Sequence, residues 1–280
     1  MNALTGYRLR SALTRGAIYA ALILGAVAAL FPFVWMVLTS LKSYAEATIG
    51  TFFPGAWLWS NYPEAWAAMK FFPRYLGNSV FIALATVLGV LVTSSLAGYA
   101  FARMRFPGRD ALFVLVLFTM MVPGEVELVP NYLTINRLGW NNTYFALIIP
   151  WMAGAFSIFL MRQFFRAIPD ELYDAALLDG CGHFRFLIEI VLPLSVPALI
   201  TSALFTFLAS WNSLEWPLLV TTTQAMRPIQ VGLASFVGEA GTQVQWLMAA
   251  ATMTILPVVL IYFVAQRWFM EGISTTGLKG

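Results

Sequence analysis

Polar residues that interrupt apolar runs mark where this chain could do chemistry. Trp211-Asn212-Ser213, followed by Glu215, lies inside one such run, and Glu125 and Glu127 lie near the end of another. Ionisable groups inside a membrane are costly, so each is a functional candidate. Asn and Glu side chains can hydrogen-bond sugar hydroxyls, and a Trp ring offers a stacking face. A plainer reading stands beside each: Asn212 and Glu215 as an interhelical polar contact, Glu125 and Glu127 as a water-exposed helix end. Covalent catalysis finds no support. One His183, one Cys181 and no Asp in the middle of a span supply no convergent nucleophile, base or metal set. The lone Cys181 excludes an internal disulfide and reads as a small packing residue, and His183 reads as an ordinary polar surface residue. Gly180-Cys181-Gly182 is too short for a nucleotide loop, and no Gly-x-x-x-x-Gly-Lys-Ser/Thr phosphate loop occurs.

The elements that must position these residues are membrane helices. Of 280 residues, 60% are hydrophobic and 10% charged, with mean hydropathy +0.78; soluble domains carry about 25% charged residues. The net charge of +3 is scattered, which is no nucleic-acid footprint. Six segments approach the roughly 20 apolar residues that a span needs: 17–40, 75–101, 110–130, 144–162, 196–220 and 246–268. The third is the weakest, because Pro123, Glu125 and Glu127 interrupt it. The first follows Arg8, Arg10 and Arg15 but runs on through Trp35, too long for a signal peptide. Lys and Arg concentrate in the N-terminal tail and in the 102–109 and 163–195 loops, which predicts that both termini and those loops are cytoplasmic. The expected fold is therefore an all-α, six-span membrane protein. The external loop 41–74 carries Trp57, Trp59, Tyr62, Trp66, Phe71 and Phe72. It reads either as an interfacial anchor or as a docking surface for an external partner.

One cytoplasmic stretch, Tyr173 to Leu194, mixes small, charged and apolar residues. Ile168-Pro169-Asp170-Glu171 is a helix start, with proline and acids suited to the first turn. A helix is expected to Leu178, then a turn at Asp179-Gly180, then a second helix from Cys181 to Val191 that breaks before Pro193. Small residues let another surface approach, and apolar flanks suit helix-in-groove docking. A packed loop closing two spans would share the pattern.

Asp174-Ala175-Ala176, then Gly180 after three residues, then Ile190-Val191-Leu192-Pro193, resembles the EAA loop of binding-protein-dependent ABC importer permeases of the MetI-like family, with Asp174 in place of Glu. Asp179 matches the Asp-Gly pair frequent there. Asn61-Tyr62-Pro63, Tyr75-Leu76-Gly77-Asn78-Ser79, Tyr99-Ala100-Phe101-Ala102-Arg103, Trp211-Asn212 and Gly277-Leu278-Lys279-Gly280 are similar to the carbohydrate-uptake branch, in particular the G subunit of maltose-type importers. The resemblance implies a permease domain over about 71–268, preceded by a tail, span and loop over 1–70 and followed by a cytoplasmic tail over 269–280. It implies a second permease, two ATPases and an external solute-binding protein as partners. ATP and Mg would sit on the ATPases, with no cofactor on this chain. Asp174, Ala175, Ala176 and Gly180 would form the docking core, ringed by Leu172, Leu177, Leu178, Asp179 and Phe184. The solute would be a sugar or sugar-like polyol, and in maltose-type systems the partner permease can supply most sugar contacts. The competing class, an ion-driven secondary transporter, predicts inverted repeats. None is evident, and the EAA spacing would go unexplained.

Overall fold

The structure, a computed structural model, describes residues 2–239 and 243–274, and every regular element among them is helical. The Gly277-Leu278-Lys279-Gly280 motif lies outside the described residues. The chain forms two compact units: one of Met1–Lys70 with Phe236–Met253, the other of Phe71–Ser235 with Thr254–Gly280. Three unbroken stretches, Leu13–Ser40, Phe72–Arg103 and Val244–Gln266, are long and apolar enough to cross a membrane, and three bent helix pairs meet the same test.

In the first unit, α1 (Asn2–Ser40) leaves Leu22, Leu24, Val27 and Leu30 exposed, as a helix facing lipid does. Its end is knotted to the following loop. The Asn61 amide donates to the carbonyls of Ser40 and Lys42, both at 2.8 Å. Lys42 is fully buried, donates to the Thr51 carbonyl and lies 4.4 Å from the Trp35 ring centre, a cation–π contact. Burial holds its ammonium below the usual lysine range. Glu46, in α2 (Tyr44–Ile49), closes a capping box with Ser43 and accepts the Gly55 N–H. Those backbone donors hold its carboxyl below the usual range. Of the loop aromatics, Trp57, Trp59 and Trp66, the last in α3 (Asn61–Ala68), are exposed. Tyr62 meets Ser40, and Phe72 is buried.

The second unit is built around α4 (Phe72–Arg103). Gly98 allows the close approach of α8 (Ala155–Ala167): a Cβ there would lie 2.6 Å from that of Met161. Ser94, one turn earlier, is fully buried, so the small residues of this span do serve close helix packing. At the other end, Asn78 donates to the carbonyls of Ala225 and Arg227 and accepts from Tyr144. Ser79 accepts the Ile229 N–H. The Tyr-x-x-Asn-Ser motif thus clasps the segment leading into α14 (Ile229–Glu239).

Three expected spans are not single helices. The third turns by 99° between α5 (Arg109–Thr119) and α6 (Gly124–Arg137), because Pro123 starts a new helix. The fifth, α12 (Val196–Trp211), stops at Asn212, and α13 (Glu215–Val220) follows as a separate short helix. In the fourth, α7 (Tyr144–Ile148) passes through a 3-10 turn into α8 with a 41° bend. The last span, α15 (Val244–Ser274), is unbroken like α1 and α4, despite its internal Pro257.

Candidate functional site

The Asp174-Ala175-Ala176 stretch lies on α9 (Asp170–Leu178). Its end is a Schellman motif: the Gly180 N–H bonds to Leu177 O at 3.0 Å and the Cys181 N–H to Ala176 O at 2.9 Å. Gly180 holds φ at +73°, where a side chain is strained, yet a Cβ would meet no atom within 4 Å. Leu172, Asp174, Ala175, Leu177, Asp179 and Gly180 are exposed, Leu178 is 91% exposed, and Phe184 is exposed too. Ala176 departs from the docking core expected of it. It is buried against Cys181 and Phe186, so it belongs to the support beneath the surface. The second helix also differs: α10 (His183–Phe186) runs through a π turn at Leu187–Val191 into α11 (Leu192–Leu194). A proline inside a helix clashes with the carbonyl four residues back, and the wider π turn accommodates Pro193. The chain bends by 81° only at Ser195.

Two side chains from α4 and one from α10 fix this platform. Arg103 donates to the carbonyls of Phe165 and Ile168 and pairs with Asp170. It satisfies carbonyls at the end of α8 and anchors the start of α9. His183 is exposed at the surface, as expected, and two tyrosines hold its ring. Its Nδ1 lies 2.9 Å from Tyr99 Oη, its Nε2 lies 3.2 Å from Tyr173 Oη, and its ring stacks on Tyr173. A lone histidine gave no sign of this in the sequence, since both partners lie beyond its own helix.

The polar residues of the interrupted spans gather elsewhere in the same unit. A cavity of about 710 Å³ is lined by Glu125, Asn212, Ser213 and Glu215. Trp211 and Glu127 are not among its lining residues. Trp211 is buried and stacks on Phe207 at 5.4 Å, so it is a packing residue rather than a stacking face. The aromatic faces come instead from Trp151 and Trp216, edge to face at 5.7 Å. Trp216 is anchored by its Nε1–H to Ala146 O at 2.9 Å. The cavity exists because the helices break: Asn212 and Ser213 sit in the gap after α12, and Glu125 in the first turn of α6.

The family described as binding-protein-dependent transport system inner membrane component matches residues 94–274. This chain belongs to it. The permease is 38% identical to the sn-glycerol-3-phosphate transport system permease protein UgpE of Yersinia enterocolitica, over 90% of this chain and 93% of that one. It is 34% identical to the arabinooligosaccharides transport system permease protein AraQ of Halalkalibacterium halodurans, over 90% and 92%. Its fold is similar to a solved chain of a bacterial ABC transporter that imports the acidic polysaccharide alginate, with TM-score 0.83 and 27% identity over 93% of this chain and 98% of that one. A second alginate transporter chain, solved with its pentasaccharide-bound periplasmic protein, shares the fold at TM-score 0.64 and 16% identity, over 92% and 96%. The permease is thus a multi-pass membrane transport component, and the relatives named are themselves transport permease proteins.

Proposed function

We propose that this permease is one membrane subunit of an ATP-driven importer for a sugar or sugar-like solute, and that α9 couples an ATPase to its movement. The observation that carries this reading is the α9 surface. Leu172, Leu177, Leu178 and Phe184 stand exposed around Asp174, Ala175 and Gly180, above a buried cluster that includes Tyr99 of α4 and Met161 and Phe165 of α8. Four large apolar side chains on a charged loop are costly unless a partner covers them. The chain has no phosphate loop, so ATP and Mg belong to separate ATPase subunits.

The assembly holds a second permease, two ATPases and an external binding protein, with this chain's permease domain over 71–268. Its six spans count each bent pair as one, and the loop charges support a cytoplasmic side, in a bacterial or archaeal cell, for both termini and α9. The solutes named for the relatives, a glycerol phosphate and oligosaccharides, support the sugar-like class. No observation favours a gradient-driven carrier. Leu178→Asp tests the coupling. It should weaken retention of the ATPase by the detergent-purified complex about thirtyfold, the effect of losing one interface hot spot, and stop ATP-dependent uptake while membrane insertion stays normal. Wild-type retention and uptake in that variant would overturn the proposal.

A further inference from the structure

Threonine hydroxyls in helices usually bond back to their own backbone. Thr134, Thr201, Thr221 and Thr252 each do so, to the carbonyl four residues earlier, at 2.6–2.8 Å. Thr86, in the middle of α4, does not. Its side chain is 2% exposed, its Oγ1 has no hydrogen-bond partner, and it lines the cavity. An unpaired buried hydroxyl is costly. Two neighbouring hydroxyls in the wall are already engaged: Ser157 accepts from Ser202 at 2.8 Å, and Ser79 accepts from Ile229 N–H. Thr86 is therefore an unpaired group in the cavity wall; its Oγ1 is shielded from solvent, and a change between staggered χ1 rotamers would turn it toward a bound solute.

The charge of the wall says what that something can be. Glu125 and Glu215 both line it, and among the described residues no Lys or Arg does. Two carboxylates with no cation beside them repel an anion that enters. Trp151 and Trp216 add aromatic faces, and the volume falls within the range of small-molecule sites. We propose that this cavity receives a neutral polyhydroxylated solute, with the Thr86 hydroxyl bonding to it and Glu125 and Glu215 accepting from its hydroxyls while excluding anionic solutes. This chain then contributes solute contacts itself and selects against anionic solutes such as the glycerol phosphate and the acidic polysaccharide named for its relatives. The inference rests on the importer reading above.

The test measures equilibrium binding of galactobiose and of digalacturonate, its acid counterpart, to the complex in nanodiscs without ATP or binding protein. Galactobiose should bind in the millimolar range or tighter, and digalacturonate about tenfold more weakly or worse. Thr86→Val, nearly the same shape, should weaken galactobiose about two- to tenfold, as loss of one hydrogen bond does; Thr86→Ser should restore it. Combining Glu125→Gln with Glu215→Gln should narrow the gap between the two sugars. Equal or tighter binding of digalacturonate, no binding of galactobiose, or no effect of Thr86→Val would each overturn the proposal. Because ATP is absent, these failures leave the importer reading standing. Galactobiose binding in a complex whose ATPase ignores α9 would sink that reading alone.

Discussion

The α9 surface and the cavity share one compact unit but are built in opposite ways. Nearly everything exposed on the first comes from a single run of chain, Leu172 to Phe184, closed by a local Schellman turn. The second gathers Thr86, Glu125, Trp151 and Glu215 from four separate segments, and it exists only because two spans break. A surface that must fit another protein can be carried by one motif at fixed spacing. A solute site inside a bundle must be assembled by tertiary packing. The two should accordingly fail independently, through different residues.

Arg103 offers the largest break of this symmetry. Its side chain is 7% exposed and serves two carbonyls and one carboxylate. Arg103→Ala strands those carbonyls at the end of α8 and should lower stability by about 3 kcal/mol. ATPase retention should fall with it, while galactobiose binding by the surviving folded fraction stays close to wild type. Arg103→Lys should recover only part, because a single ammonium cannot replace the planar fork. Unfolding followed by tryptophan fluorescence measures the first effect. An unchanged midpoint would show that the platform does not depend on this residue.

A smaller effect separates backbone from surface at Gly180. No atom blocks a Cβ, so the fold's demand there is conformational alone. Gly180→Val should cost about 1–3 kcal/mol, since a β-branched residue is strained at positive φ. Gly180→Asn should cost less, because Asn visits that region more readily. If the partner ATPase approaches this glycine closely, Asn should still reduce ATPase retention in a protein of near-normal stability. Full retention in the Asn variant would mean that Gly180 serves the turn only.

The difference in construction also governs what the sequence could disclose. The start of α9, its Asp179-Gly180 turn and its outward leucines follow from local rules of capping and amphipathicity, and they are where those rules place them. Ala176 escaped because a helix nine residues long has an inner face that spacing alone does not orient. Among the polar residues of the spans, Asn212 and Glu215 stood out as interruptions of an apolar run. The sequence did not show that the helix ends there, because the run remains apolar through Val220. Trp211 drew attention by its chemistry, but burial decides its role. Thr86 gave no signal at all, since a single threonine in a span normally bonds to its own helix, and only the geometry shows that this one does not.

The cavity should also respond to changes well outside it, and Asn142 is the smallest lever that can show this. It sits at φ +59°, and its Oδ1 accepts from the N–H groups of Thr222 and Thr223 and from the Thr223 hydroxyl, each at 3.0 Å. Its own N–H donates to Val220 O at 2.7 Å. This clamp holds the end of α13, whose beginning carries Glu215 into the wall. Asn142→Ala removes the acceptor and strains the backbone, for about 1–2 kcal/mol. Asn142→Gly keeps the backbone conformation, and Asn142→Asp keeps the acceptor, so the three variants separate the two contributions. Galactobiose affinity should drop a few-fold in Ala and Gly and hold in Asp, while ATPase retention through α9 stays unchanged in all three. If solute affinity ignored the clamp while stability fell, the position of Glu215 would be set by the Trp216 anchor alone.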